Sequence, residues 1–349
     1  MSCLQKWKPI AVMVGVNFAM AVVNLLFKKV LNGGMNQQVI TTYRLSTAAT
    51  FLAPVACCRE RKSNKKLTAL TFCTLFFSAL TGGTLTQYLF LIGLKYTSST
   101  FSCAFINIVP INTFILALIL RKEKINMNSK SGKAKVLGTI ICIGGALVLT
   151  LYKGTPLTKT TSKDVEAEHD VKNWVIGSLF LYAGSLAWSS WYHIQDRVGR
   201  EYPYQYSSTT IMSFLAAIQS AILCFIIERR TSIWKLKGAL EISTILYTGI
   251  VGSGICFVIM SWCVKQKGPV FTSAFSPFIQ IFAAILDVFL LHEQIHLGSI
   301  LGSILVVIGL YILLWGKCKE TEVCKNVQTE EKDGTILPVI ISPPGPLRT

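Results

Sequence analysis

Residues 268–317 read GPVFTSAFSPFIQIFAAILDVFLLHEQIHLGSILGSILVVIGLYILLWGK, two apolar runs of about twenty residues joined by the short polar turn LHEQIHLG. Roughly twenty apolar residues let an α-helix cross about 30 Å of hydrocarbon, and so short a connection leaves room only for a hairpin. The stretch is therefore read as a transmembrane helical hairpin. The same hairpin occurs earlier, as TFSCAFINIVPINTFILALILRKEKINMN followed by KVLGTIICIGGALVLTLYKG. With Phe101 set on Phe271, Ala104 falls on Ala274, Phe105 on Phe275, Ile111 on Ile281, Leu120 on Leu290 and Glu123 on Glu293. Beyond an insertion in the first copy, Gly138 falls on Gly302, Gly145 on Gly309 and Lys153 on Lys317. Apolar helices share letters cheaply, but the shared loop positions point to duplication of one membrane unit.

The composition fits that reading. Of 349 residues 52% are hydrophobic and 15% charged, and the charges cluster between long uncharged runs, unlike a soluble domain. A net charge of +17 in a soluble protein would suggest nucleic acid, but here the basic residues fall in loops, so membrane topology explains them and no nucleic-acid partner is expected. The scattered cysteines form no disulfide or zinc framework.

Ten runs of spanning length are marked at 9–30, 37–57, 68–93, 100–120, 135–152, 174–194, 205–227, 240–263, 270–291 and 297–316. With the N-terminus inside, the inner segments hold twenty-two basic residues and the outer segments eleven, which places both termini in the cytoplasm. Five spans per copy is odd, so the second copy enters the membrane upside down. The expected fold is an all-α integral membrane protein with two inverted five-helix repeats, 9–152 and 174–317. They are preceded by a short cytoplasmic N-terminus at 1–8, joined by a polar, Thr-rich linker at 153–173, and followed by a disordered tail at 318–349. Small residues should mark close contacts between spans, among them Gly82, Gly83, Gly144, Gly145 and the run from Gly249 to Gly254.

Polar groups inside lipid-spanning helices are costly, up to roughly 3 kcal/mol for a charge at mid-depth, so they face a cavity or a partner. The candidate substrate-binding residues are Asn17 in span one, Arg44 in span two, Gln87 in span three, Asn107 in span four, Trp188 in span six and Gln280 in span nine. The plainer readings are hydrogen bonding between helices and anchoring at the membrane surface. Two readings stand for Arg44: a long side chain reaching to the interface or a structural partner, and contact with an anionic group on a substrate. Ser273, Ser276, Gln280 and Asp287 recur at helical spacing on one side of span nine, a polar stripe suited to a watery pathway. Asp287 is the one carboxylate well inside a span and hence the candidate for proton coupling. Pro110 and Pro277 lie within spans four and nine, where each removes a backbone bond and marks a candidate hinge. His292 and His296 sit one turn apart, yet with only Glu293 beside them no metal site is expected. No cofactor motif, nucleotide-binding loop or catalytic constellation is present, so an enzyme is not expected.

The phrases LKYTSSTFSCAF, TLYKG, Trp262 followed by CVKQKGPVFTSAFSP, and GLYILLWGK closely resemble the plant walls-are-thin-related (nodulin-like) proteins, a branch of the EamA-type drug/metabolite transporter superfamily. The resemblance covers about residues 8 to 317. It implies ten helices in two EamA units, cytoplasmic termini, and substrate held between the halves. It also implies carriage of amino acids, or of auxin, across the plasma or the vacuolar membrane. The family's Tyr-Arg pair falls on Tyr43 and Arg44, its span-three glutamine on Gln87, its Asn-X-X-Pro on Asn107 and Pro110, and a further glutamine on Gln195 before Tyr202 and Pro203. Its Gly-Glu falls on His292 and Glu293, a departure, and Asp287 stands where a small or apolar residue is expected. The expected function is alternating-access transport of a small organic acid, an amino acid before auxin, at the plasma membrane before the vacuole, with a channel or scaffold as the remaining alternative. The expected partners are that small molecule and the lipid bilayer; nothing in the sequence sets an oligomeric state.

Overall fold

The computed structural model describes residues 3–60, 67–97, 99–122, 129–151, 171–228, 231–236 and 238–291, and within 301–319 residues 301, 302, 304, 305, 307–309, 311–313, 315, 316 and 319. Among these residues every regular element is helical. In chain order they are α1 Cys3–Asn32, α2 Gln37–Arg59, α3 Ala69–Ala79, α4 Thr86–Tyr96, α5 Ser99–Ile119, α6 Lys130–Leu151, α7 Val171–Glu201, α8 Gln205–Ile227, α9 Ala239–Tyr247, α10 Phe257–Lys267, α11 Pro269–Ser273 and α12 Ser276–Leu291. A π-helical segment, Leu80–Leu85, joins α3 to α4 into one rod, and another, Thr248–Cys256, joins α9 to α10.

Local chemistry sets the boundaries. Asn36 caps α2, its side-chain oxygen accepting from the Gln38 N–H at 2.8 Å. Gly268 ends α10 at φ +89°, a conformation that favours glycine, and Pro269 then starts α11 with a nitrogen that needs no partner. Several helices run past the expected spans. α1 begins at Cys3, α6 at Lys130 and α7 at Val171, inside the expected linker, and α7 continues to Glu201. The extra turns carry Trp and Lys or Arg, side chains whose apolar stems remain at the membrane boundary while their polar tips reach water. Span nine, expected as one helix, is two: a turn at Ala274 and Phe275 separates α11 from α12, and Pro277, lacking an N–H to bond backward, sits in the first turn of α12.

Among the described residues five helical stretches are long and apolar enough to cross a membrane: Trp7–Leu31, Ala69–Tyr96, Gln205–Ile227, Ala239–Lys267 and, with its break, Pro269–Leu286. α2 and α7 have the length, but buried Gln38, Thr41, Thr42 and Arg44 dilute the first, and buried Ser185, Ser189, His193, Gln195 and Asp196 the second. Apolar side chains such as Phe72, Phe77, Ile222, Phe225 and Ile226 face outward instead. That is the arrangement of a bundle whose solvent is hydrocarbon and whose polar groups satisfy one another inside.

The longest contacts run between early and late helices: α2 along α8, α4 and α5 along α7, and α1 along α12. Exchanging the early helices for their late counterparts maps the α5–α7 contact onto α12–α1, and maps α2–α8 and α5–α12 onto themselves. One core cluster draws on both, with Leu45, Ala79, Val109, Trp191, Met212 and Phe257 buried together. Close approach depends on missing side chains. A Cβ on Gly82 would stand 2.2 Å from Cδ1 of Trp191, and one on Gly309 would stand 2.5 Å from the Cys142 nitrogen. A Cβ on Gly144, by contrast, would meet nothing within 4 Å among the described residues.

Candidate functional site

Of the residues singled out from sequence, the fold brings Asn107 and Gln280 together. Asn107 on α5 is 4% exposed, and its Nδ2 donates to the Oε1 of Gln280 on α12 at 2.8 Å. The Asn107 carbonyl oxygen is buried with no hydrogen-bond partner. In a low-dielectric interior an acceptor left without a donor costs about 1–3 kcal/mol.

Arg44 lies in the second turn of α2 and is 7% exposed. Its guanidinium lies over the Phe27 ring of α1 at 5.2 Å from the centroid. Its Nε is buried and bonded to nothing, and among the described residues no carboxylate comes within ion-pair distance of it. Next to it, Tyr43 donates its hydroxyl to the Trp234 carbonyl at 2.9 Å, fixing the outer part of α2 against the short 3-10 turn Thr231–Trp234. A buried cation stacked on one aromatic face and open on its hydrogen-bonding edge can receive a planar anion such as a carboxylate.

The other expected residues are placed differently. The Asn17 amide turns back to the Met13 carbonyl of its own helix at 2.7 Å and bridges to no other span. Gln87 is half-buried on α4. Trp188 stacks on Trp191 with centroids 5.2 Å apart and meets Phe257 edge-on, so it belongs to an aromatic core cluster. Pro110 lies within an unbroken α5, whereas Pro277 follows a helix break. Ser273 bonds the Val270 carbonyl of α11, and the break after it places Ser273 and Gln280 on separate helices. The backbone of Asp287 is in α12; its side chain, and all of His292, Glu293 and His296, lie outside the described residues. Two cavities among the described residues are not lined by these candidates. One, of about 190 Å³, lies at the Lys122 end of α5, and the other, of about 810 Å³, is an open groove along Leu137, Ile140, Tyr311 and Trp315.

The model of the EamA-like transporter family matches residues 7–151 and 175–315. The chain belongs to the EamA-like transporter family. The EamA-like chain is 52% identical to the WAT1-related protein At3g30340 of Arabidopsis thaliana over 90% of its own length and 88% of the relative's. It is 50% identical to the WAT1-related protein At4g01440 of the same plant, over 91% and 88%. A crystal structure of a protein sharing 16% identity superposes with a TM-score of 0.63, covering 86% of this chain and 98% of that one, a likeness of fold. The protein is thus a plant-type, multi-pass membrane transporter, and its substrate is a small molecule.

One set of polar residues in this EamA-like transporter escaped the sequence reading. Along α7 a stripe of Ser185, Ser189, His193 and Asp196 faces α5. The Asn112 amide donates to Ser185 Oγ at 2.9 Å, Ser189 Oγ donates to the Val109 carbonyl at 3.1 Å, His193 Nε2 lies 2.9 Å from the Thr113 carbonyl, and the Lys122 ammonium donates to Asp196 at 2.9 Å. The four-residue spacing was there to be read, but Asp196 falls just past the expected end of its span. Gln195, on the neighbouring face, donates to Ser78 Oγ at 2.8 Å and accepts from Ser261 Oγ at 3.3 Å, tying α3, α7 and α10 together.

Proposed function

We propose that this EamA-like transporter crosses the plasma membrane ten times as two antiparallel repeats, with both termini cytoplasmic, and carries an amino acid by alternating access. The exchange of helix contacts between early and late elements supports a two-fold relation between the repeats, and an odd number of spans in each makes that relation antiparallel. The observation that carries the substrate class is Arg44, a buried guanidinium whose hydrogen-bonding edge has, among the described residues, no carboxylate to hold. Leaving such a charge unpaired is costly unless a ligand anion completes it.

Asn107 adds the second half of the reading. It lies eight residues from the start of α5 and Arg44 seven from the start of α2, about 10–12 Å along each helix, which the proposed ten-span topology translates into similar depths. An amino acid presents a carboxylate for the guanidinium and an ammonium for the open Asn107 oxygen. Auxin supplies the carboxylate but no ammonium. Gln87 and Gln280 would bound the same space, Pro110 and Pro277 would serve as the hinges, and Asp287 would take the proton if transport is coupled. The test is uptake and efflux of labelled amino acids and indole-3-acetate, at two pH values, in a host deprived of its own carriers. Saturable amino-acid flux above empty vector is expected; flux equal to empty vector for every compound overturns the reading.

A further inference from the structure

At the far end of α5 from Asn107, the two family-matched stretches meet again through charge. The Asp196 carboxylate of α7 lies 2.9 Å from the Lys122 ammonium just beyond α5, and 3.1 Å from the Arg200 guanidinium one turn along its own helix. Its side chain is 8% exposed, so the pair sits where losing a partner is costly. Lys122 also donates to the His193 carbonyl at 3.3 Å. Against this pair opens the 190 Å³ cavity, lined by Lys122, His193, Asp196, Arg200 and Lys267 and by Gly268 to Val270 at the α10–α11 turn. One carboxylate there faces three cationic side chains, an excess of positive charge around a space large enough for a small organic anion.

The two attachments of Asp196 respond differently to a separation of α5 from α7. Arg200 is on the same helix and travels with the carboxylate. Lys122 belongs to the other stretch and would be left, among the described residues, with no anion. Elsewhere the stretches are tied along a whole helix pair: Thr42 of α2 bonds Ser220 of α8 at 3.0 Å, and at the other end Glu60 accepts from the Ser207 N–H at 2.8 Å and from the Tyr206 N–H at 3.1 Å. That pair is a spine, whereas α5 and α7 are joined by single side-chain bonds, so parting them at the Lys122 end costs the Lys122–Asp196 pair and the adjoining His193–Thr113 contact.

We propose that Lys122 and Asp196 form the gate at this end of the transport pathway, and that the cavity against them is a transient site where a substrate carboxylate takes the place of Asp196 on Lys122. The exchange replaces one carboxylate by another, so neither Lys122 nor Asp196, still held by Arg200, is left uncompensated. The proposal rests on the carrier reading for its ligand but not for its latch.

The test uses the full chain in liposomes, with Cys57, Cys58 and Cys73, the exposed cysteines among the described residues, changed to serine. Nitroxide labels at Leu120→Cys and Arg197→Cys, exposed positions flanking the pair, report its separation. Lys122→Gln and Asp196→Asn should each add a longer label-to-label distance, while Lys122→Arg and Asp196→Glu should keep the short one. Unchanged distances in both of the first two variants overturn the latch. Thermal-shift titrations with L-leucine, indole-3-acetate and leucinamide, which lacks a carboxylate, read the exchange. In Asp196→Asn, with Lys122 released, the half-saturating concentration of the carboxylates should fall about tenfold, and in Lys122→Gln it should rise. A leucinamide response equal to that of leucine, or an Asp196→Asn variant that binds carboxylates no tighter than the unaltered chain, overturns the exchange. If neither carboxylate shifts the unaltered chain, the organic-acid reading fails, and the nitroxide distances still decide the latch.

Discussion

Arg44 concentrates the chemistry at the residue scale. Its charge could be kept by lysine, but the flat face on Phe27 and the paired donors could not. Arg44→Ala and Arg44→Lys are both expected to weaken apparent affinity by about ten- to a hundredfold, the worth of a charged hydrogen bond of about 1.5–3 kcal/mol. Concentration-dependent uptake at matched surface expression measures this, and a fully active lysine variant would remove the planar-anion reading. Asn107→Ala separates binding from architecture differently. It removes the bond to Gln280, so a loss of about 1 kcal/mol in stability should accompany the loss of uptake. Asn17→Ala should spare transport, because the amide it removes bonds only its own helix. The two outcomes are read together by thermal denaturation and uptake.

At the scale of the element, glycines divide into those that touch and those that do not. Gly82→Ala drives a Cβ into the ring of fully buried Trp191, and overpacking of this kind costs about 1–3 kcal/mol. Gly144→Ala meets nothing and should gain about 0.5–1 kcal/mol from the stiffer helix. Denaturation midpoints followed with a dye that labels buried cysteines as they unfold would show shifts of opposite sign. The sequence could not rank these two glycines, because both look alike until the neighbouring helix is known. The helical character of spans one to nine was legible from the length of the apolar runs, and so were Arg44 and Asn107, as polar letters within them. Three things were not. The break at Ala274 and Phe275 looks like a continuous apolar run, the Asn107–Gln280 bond joins residues far apart in the chain, and Asp196 hides among the loop charges although it is buried.

Taken whole, the molecule is knit rather than divided: α2 lies along α8 and α5 along α7, so neither family-matched stretch keeps its core to itself. Truncation after residue 152 is therefore expected to leave Trp191-facing and Met212-facing surfaces of the first stretch open, and to give an unstable fragment rather than a half-transporter. Co-expression of the two pieces should restore folding, as judged by protease resistance. Topology has its own check. Tags at both ends should be reached by antibody only after the cells are permeabilised, while a tag inserted near residue 160 should be reached in intact cells. Tags on opposite faces would exclude antiparallel repeats.

The two π-helical segments occupy matching places: with Phe101 set on Phe271, Gly82 falls on Gly252. In each, the backbone bonds skip to the fifth residue, so the rod holds slack that an α-helix lacks, and in the first the Thr86 hydroxyl also donates to the Thr81 carbonyl. Tightening one such turn back to α pitch would screw everything beyond it around the axis by about 100° and along it by about 1.5 Å, without severing the rod. Paired ratchets of this kind would let the third rod and its late counterpart trade register, one winding as the other unwinds.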